Sequence, residues 1–124
     1  DKGHGVAEDD KQAFDWYAKA AAQGHAKAQY ELGKCYKNGE GVEKNMVKAI
    51  EYYTKAAKQD NADAQYALGK CYLKGKGVTA DKAKAKSWLK KAIKNEKGGK
   101  EIMQKLRAEA AQGDADAKAI LALI

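Results

Sequence analysis

The segment Leu32-Gly33-Lys34-Cys35-Tyr36 recurs unchanged as Leu68-Gly69-Lys70-Cys71-Tyr72, 36 residues further along the chain. The same offset carries Gly39, Gly41 and Val42 onto Gly75, Gly77 and Val78, and it places Gly3, Gly5 and Val6 one period earlier. Self-similarity at a period of 20 to 50 residues is typical of solenoids, whose units bury their apolar faces by stacking on one another. The sequence therefore predicts an array of repeats that opens inside a repeat loop.

The composition predicts that these repeats are helical. The 124 residues contain no proline and 12 glycines, and alanine and lysine are abundant, which suits helices joined by glycine turns. We therefore predict an all-α fold. Lysine and arginine total 24 against 17 aspartates and glutamates, and the resulting charge of +7 favours acidic partners without identifying one.

The sequence does not assign a compartment. No apolar run approaches the roughly 20 residues that a membrane-spanning helix needs, and no signal-type segment opens the chain. The chain starts at Asp1 rather than at methionine, inside a predicted repeat loop. We expect that further repeats or a leader precede it.

Three segments at the same position of the repeat have the apolar spacing of amphipathic helices. They are Ala13–Ala21, Ala49–Ala57 and Ala85–Ile93. A residue suited to helix capping precedes each segment, namely Asp9, Asn45 and Asp81. Helices are therefore predicted near residues 9–23, 45–59 and 81–95.

A second helix of each repeat carries the Leu-Gly-x-x-Tyr pattern. We predict that Leu32 and Tyr36 face the core, that Gly33 makes room for a crossing helix, and that Gly39 ends the helix in a left-handed conformation. Gly41 then turns the loop back before Val42 re-enters the core. The second copy assigns the same roles to Leu68, Gly69, Tyr72, Gly75, Gly77 and Val78.

The two cysteines occupy one slot of consecutive repeats. Stacked helices lie about 8 to 10 Å apart, whereas a disulfide needs Cα atoms within about 7 Å. We therefore predict that Cys35 and Cys71 are free thiols that pack as small buried hydrophobes.

This order of residues resembles the SEL-one-like repeat (SLR), a member of the tetratricopeptide-like superfamily. The match runs from residue 3 to about 95 and includes the Leu-Gly, Gly-x-Gly-Val and Lys-Ala-Ala positions. The resemblance implies a right-handed α/α solenoid of helical hairpins that serves mostly as a protein-binding scaffold. We predict a single repeat domain, with a partial repeat at 1–24, repeats at 25–60 and 61–96, and divergent capping helices at 97–124.

The residues after Lys94 depart from the period. Gln112-Gly113-Asp114 restores the opening of a second helix 53 residues after Gln59, so 17 residues have been added. We expect Lys100–Ala111 and Asp114–Leu123 to form a closing pair, because one face of a terminal unit meets water. The last apolar residues, Ile120, Leu121, Leu123 and Ile124, either pack under this pair or form an exposed edge.

No set of residues predicts catalysis, a metal site or a cofactor. His4 and His25 have no ligand spacing to each other or to the cysteines. The Gly-x-Gly loops follow no strand, so they are not read as phosphate cradles. Ser87 and Lys90 spell Ser-x-x-Lys, but they lie on a repeat helix without the supporting motifs of serine β-lactamases.

Some secreted cysteine-rich members of the family are described as binding or hydrolysing β-lactams, and a cysteine pair staples each of their hairpins. This chain has Ala57 and Gln65 in the corresponding neighbourhoods. The sequence therefore disfavours membership of that subgroup, and β-lactam binding or hydrolysis is kept as a remote alternative.

The best candidate for a site is one face of the repeat. In tetratricopeptide-like hairpins the helix with the Leu-Gly pattern lines the concave surface. The resemblance implies contact residues at Tyr30, Lys34, Lys37, Asn38, Tyr66, Lys70 and Lys74. Spacings of i, i+4 and i, i+3 place the first three of them on one stripe. Tyrosine with lysine suits an acidic or C-terminal peptide; alternatively, the tyrosines only pack between repeats and the lysines are solvated.

The leading hypothesis is thus a non-catalytic scaffold that binds a protein or peptide segment on its concave face. A basic surface for nucleic acid or another anionic polymer is the alternative. It is less favoured because the lysines are spread over both helix positions. We also consider self-association through an exposed edge of the terminal repeat.

Overall fold

The computed structural model describes the backbone of residues 2–124 and the side chains of residues 9–124. This part of the chain contains seven α-helices and no strands, which confirms the all-α prediction. The helices are α1 (Lys2–Ala22), α2 (Ala26–Asn38), α3 (Met46–Lys58), α4 (Ala62–Lys74), α5 (Lys82–Ile93), α6 (Gly99–Ala111) and α7 (Ala115–Leu123). Among the described residues, none of these helices combines the length and apolarity required to cross a membrane.

The helices stack in chain order, as in an α/α solenoid. Each helix packs on the next one, and the most extensive contacts join α2 to α3 and α4 to α5. At the far end, α6 packs on α5 and α4, and α7 packs on α6. The two helices expected after Lys94 are thus present and lie side by side, and their role as a closing pair stays a prediction. We refer to α2–α5 as the repeat region and to α6–α7 as the terminal pair.

The predicted helix limits agree with the structure in the repeat region. The side chain of Asn45 accepts a hydrogen bond from the amide of Lys48, and Asp81 accepts one from Lys84, both at 3.0 Å. Each bond satisfies an amide of the first helical turn. Asp114 caps α7 in the same way by accepting from the amide of Ala117 at 2.9 Å.

The predicted start of α1 was wrong. The structure continues this helix back to Lys2, so Gly3 and Gly5 lie within it rather than in a loop, and Asp9 does not cap it. Glycine permits a left-handed turn but does not require one, and both glycines adopt the helical conformation here. The side chain of Val6 lies outside the described residues.

Glycine at the predicted crossing position allows the helices of each repeat to pack closely. A Cβ atom on Gly33 would lie 2.8 Å from the ring of Tyr53, and one on Gly69 would lie 2.7 Å from Leu89. Tyr53 and Leu89 are almost completely buried. Because such contacts are too short for any side chain, each of the two glycines is required by the helix crossing.

The two Gly-x-Gly loops have the predicted conformation. Gly39 and Gly75 both have a φ of 70°, and their amides donate to the carbonyls of Cys35 and Cys71, which ends α2 and α4. The second glycines, Gly41 and Gly77, also have positive φ. The following valines, Val42 and Val78, are half-buried.

The core forms along the seams between helices. Leu32 and Leu68 are buried as predicted, while Tyr36 and Tyr72 are half-buried. Cys35 and Cys71 are buried free thiols, which confirms that prediction. At the terminal pair Ile120 is buried, and the remaining apolar residues of the last turn pack around the same cluster.

Amide side chains link α2 to the end of α3, and α4 to the turn after α5, a feature that was not predicted from the sequence. Gln59 Nε2 donates to Gln29 Oε1 at 2.8 Å. Thirty-six residues later, Asn95 Nδ2 donates to Gln65 Oε1 at 3.3 Å and to the carbonyl of Asp60 at 2.8 Å. We call these two sets of bonds the amide clamps. They satisfy polar groups that would otherwise be buried without partners.

Candidate functional site

The predicted tyrosine and lysine stripe is present on both α2 and α4. The Nζ atom of Lys34 lies 5.4 Å from the ring centroid of Tyr30, and that of Lys70 lies 4.8 Å from the centroid of Tyr66. These distances are typical of cation–π contacts. The i, i+4 spacing therefore produces the same lysine-on-tyrosine pair in two successive repeats.

The stripes lie in a groove formed by two adjoining clefts of about 170 Å³ each. The polar side chains that line the α2–α4–α6 cleft include Tyr30, Lys34, Lys37, Asn38, Asp63, Tyr66, Lys70 and Lys105. Those that line the α4–α7 cleft include Lys37, Tyr66, Lys70, Lys74, Lys76, Glu109, Asp114 and Asp116. Because Lys37, Tyr66 and Lys70 line both clefts, the two spaces form one groove.

All seven predicted contact residues line this groove, but the second stripe is incomplete. The residue 36 positions after Lys37 is Leu73, which packs against the apolar cluster of the terminal pair. Lys74 corresponds instead to Asn38 and forms an ion pair with Asp116 of α7. The groove is thus not a simple duplication of one stripe.

The groove tyrosines take part in packing as well as lining the surface. The ring of Tyr30 lies 5.7 Å from that of Tyr53, and both groove tyrosines are half-buried. Burial is the main cause that raises the pKa of Tyr30 to about 12, with a smaller contribution from Asp63. Burial, followed by Glu109, raises the pKa of Tyr66 to about 12 as well. Both phenols are therefore protonated hydrogen-bond donors at neutral pH.

Positive charge in the groove is only partly balanced. Lys34 reaches Glu31 on its own helix at 3.5 Å, and Lys74 is paired with Asp116. Among the side chains that the structure describes, no ion pair involves Lys37, Lys70 or Lys105. Burial lowers the pKa of Lys70, and the nearby ammonium of Lys37 lowers it further.

The sequence analysis missed the residues that the terminal pair adds to the groove. Lys105 and Glu109 come from α6, and Asp114 and Asp116 come from the start of α7. A signal existed in the spacing of helix starts. Ala62 begins α4 and Gly99 begins α6, 37 residues later, so α6 continues the series of α2 and α4 with a shift of one residue.

The other reactive side chains do not form a second site. Cys71 borders the α4–α7 cleft, but burial raises its pKa and favours the thiol form. Ser87 is exposed on α5 and does not line the groove. Within residues whose side chains are described, no three His, Cys, Asp or Glu are grouped to hold a metal ion.

Comparison with known proteins shows several related structures. The structure is similar to a Sel1 repeat protein from Oxalobacter formigenes (40% identity, TM-score 0.69) over 69% of this chain and 25% of that one. It is also similar to a protective antigen of uropathogenic Escherichia coli that displays an SLR fold (36% identity, TM-score 0.68; 69% and 18% covered). Cysteine rich protein B of Helicobacter pylori is 31% identical with a TM-score of 0.64, over 67% of this chain and 62% of that one.

The chain therefore spans a quarter or less of the first two of these proteins and just under two thirds of the third. No curated protein sequence matches it. The Sel1 repeat model matches three consecutive segments, at residues 1–25, 26–61 and 62–96. With three matched repeats and the Leu-Gly, Gly-x-Gly-Val architecture described above, this chain belongs to the Sel1 repeat family.

Proposed function

We propose that this chain is a non-catalytic scaffold that binds a peptide or protein segment in the groove between α2, α4, α6 and α7. Proteins of the Sel1 repeat family are generally protein-interaction scaffolds. The single observation that carries the proposal is the convergence of all seven stripe residues on one groove.

The chemistry of the groove suits a peptide. Half-buried tyrosines offer rigid contact area together with a hydroxyl donor, and the lysines offer charged donors. The two clefts have the size of single side-chain sites rather than of a cavity that encloses a small molecule. An extended segment that places successive side chains in successive clefts fits this arrangement.

The charge pattern favours a peptide over nucleic acid. Four carboxylates line the groove among its lysines: Asp63, Glu109, Asp114 and Asp116. A surface that tracks a phosphate backbone needs continuous positive charge, because affinity arises from phosphate neutralisation. Carboxylates inside the groove would repel the phosphates.

The test is selection of binding segments from a displayed random peptide library, followed by affinity measurement on groove variants. Lys34→Glu combined with Lys70→Glu should weaken binding of a selected peptide at least about tenfold, because two attractive charges become repulsive. The matched control is Lys27→Glu combined with Lys58→Glu, which changes the net charge equally at exposed positions outside the groove.

Lys70 is half-buried, so a second variant keeps the test independent of folding. Lys34→Glu combined with Lys37→Glu leaves Lys70 in place. Circular dichroism checks that this double variant keeps the helix content of the original chain. If the control variant weakens binding as much as the groove variants do, the peptide binds elsewhere and the groove proposal is wrong. A library that selects no binding segment contradicts the scaffold proposal itself.

Self-association stays a prediction. The first edge of the described structure carries Trp16 with 69% of its surface exposed. Analytical ultracentrifugation of the chain and of Trp16→Ser would show whether this edge supports a dimer.

A further inference from the structure

The two clefts of the groove differ in the number of carboxylates that accompany their lysines. Glu109, Asp114 and Asp116 accompany the lysines of the α4–α7 cleft. The α2–α4–α6 cleft has a single carboxylate, that of Asp63, against four lysines. These lysines are Lys34, Lys37, Lys70 and Lys105. Lys37 and Lys70 line both clefts, but the excess of lysines over carboxylates is larger in the α2–α4–α6 cleft.

The four lysines converge from three different helices. Lys34 and Lys37 lie one turn apart on α2, while Lys70 comes from α4 and Lys105 from α6. Burial lowers the pKa of Lys70, the ammonium groups of Lys37 and Lys105 lower it further, and Glu109 offsets part of this effect. Grouping like charges around a partly desolvated amine costs free energy, and an anionic ligand would remove that cost.

Resting on the proposed scaffold function, we propose that the α2–α4–α6 cleft recognises a run of acidic side chains within the partner segment. Lys34 already has Glu31 as an ion-pair partner on its own helix, whereas Lys37, Lys70 and Lys105 have none among the described side chains. Neighbouring aspartates or glutamates of an extended segment can pair with these three lysines. Tyr30 and Tyr66 flank the same cleft and supply hydroxyl donors to these carboxylates.

This proposal changes the residues expected to recognise the partner. Lys105 of α6 becomes a recognition residue, although the sequence analysis treated this helix only as a cap. Lys74 does not contribute, because Asp116 already neutralises it. The carboxylates of the α4–α7 cleft repel acidic side chains and therefore fix which part of the segment occupies which cleft.

The experiment is calorimetric titration of the whole chain with a short peptide that contains a run of glutamates. Both peptide ends are blocked, by acetylation and amidation, and a matched peptide carries glutamine in place of glutamate. We expect the glutamate peptide to bind and the glutamine peptide not to bind. Lys105→Gln and Lys37→Gln should each weaken binding about fivefold, and Lys105→Arg should retain it.

Lys58→Gln is the matched control, since it removes an exposed lysine outside the groove and should change affinity less than about twofold. Equal losses for Lys58→Gln and Lys105→Gln would overturn the proposal. Binding only of a peptide with a free C-terminal carboxylate would also overturn it. So would single-stranded RNA that binds with the same sensitivity to Lys105→Gln, because the cleft would then be a general polyanion site.

The two proposals fail in different ways. If library-selected segments bind the groove but are not acidic, the acidic-run inference is wrong and the scaffold proposal stands. If no segment of any composition binds the groove, both are wrong.

Discussion

The repeat region and the terminal pair are built from similar helices, yet they pack differently at one position. The eighth residue of α2 is Gly33 and that of α4 is Gly69, whereas the eighth residue of α6 is Leu106. Glycine lets α3 and α5 cross at close range, and these two crossings have the most extensive contacts in the structure. Leu106 is buried instead, and α7 packs less extensively on α6.

This difference shows that the close helix crossings and several charges of the groove come from different parts of the chain. Close crossings in the repeat region leave little freedom to the side chains at the seam. The terminal pair lacks the close crossing. It contributes four charged side chains to the groove, namely Lys105, Glu109, Asp114 and Asp116. The region without the repeat signature thus carries charges that distinguish the two clefts.

The largest expected effect comes from placing the residue of the terminal pair into the repeat. Gly69→Leu should lower the free energy of unfolding by about 3 kcal/mol or more, because its first side-chain atom already overlaps Leu89. Urea denaturation measures the change. The control is Ala83→Leu at an exposed position of α5, with an expected change within about 0.5 kcal/mol. Equal stability of the two variants would mean that the crossing is not tight.

The second effect tests the amide clamp next to the terminal pair. Asn95→Ala removes the donor to Asp60 and Gln65 and the acceptor for the amide of Lys97 in the turn before α6. Because Gln65 Oε1 then loses a buried partner, we expect a loss of about 1 to 3 kcal/mol.

Hydrogen exchange should also accelerate in α6 of Asn95→Ala before it does so in α4, since this clamp holds the turn that leads into the terminal pair. Gln59→Ala is the comparison, because Gln59 is exposed and its clamp contains one bond to Gln29. A larger loss for Gln59→Ala would contradict the assignment of the stronger clamp to Asn95.

The third effect is a loss of stability at alkaline pH. The folded pKa of Tyr30 and Tyr66 is about 12, against 10.0 for an ordinary tyrosine. The folded protein therefore holds these protons longer than the unfolded chain. This contribution to stability is complete below pH 10 and is lost as the pH rises through about 12.

Besides burial, charges from different regions of the molecule raise the pKa values of the two tyrosines. Those acting on Tyr66 belong to the terminal pair, whereas Asp63 and Glu31 act on Tyr30. Glu109→Gln combined with Asp114→Asn should lower the pKa of Tyr66 alone, as measured by NMR of ¹³C-labelled tyrosine. Equal shifts at both tyrosines would argue against this local origin.

The smallest effect concerns the ion pair that joins the two regions. The hydrogen bond from Lys74 lowers the pKa of Asp116. Lys74→Ala should return that pKa toward the ordinary aspartate value, which NMR titration of the carboxyl carbon measures. The urea midpoint should hardly move, since both side chains are well exposed to solvent. A large drop in the midpoint would show that this pair anchors α7.

Most of the fold was predictable because the repeat appears twice. Asn45 and Asp81 identified two helix starts, and Gly39 and Gly75 identified two helix ends, through local capping chemistry. The same reasoning failed at Gly3, because glycine permits a left-handed turn without requiring one and α1 continues through this residue. The amide clamps were also missed, because Asn95 and Gln65 are 30 residues apart and meet only where α5 packs on α4.

For the site, the stripes were predictable and their environment was not. The i, i+4 spacing on one helix is enough to bring Lys34 onto Tyr30 and Lys70 onto Tyr66. Leu73 interrupts the second stripe, a departure visible only when each position is followed through the full period. Neutralisation of Lys74 by Asp116 depends on a contact between residues 42 positions apart.

The sequence by itself determined what depends on neighbours within one or two helical turns: the helices of the repeat region, their caps, the glycine loops and the tyrosine and lysine stripes. The tertiary structure decided which lysines stay unbalanced, because ion pairing and burial depend on helices that approach from distant parts of the chain. Lys105 enters the groove and Lys74 is neutralised for this reason alone. The charge of a surface is the sum of the charges on all the helices that meet there, whereas the repeat pattern predicts the residues of one helix at a time.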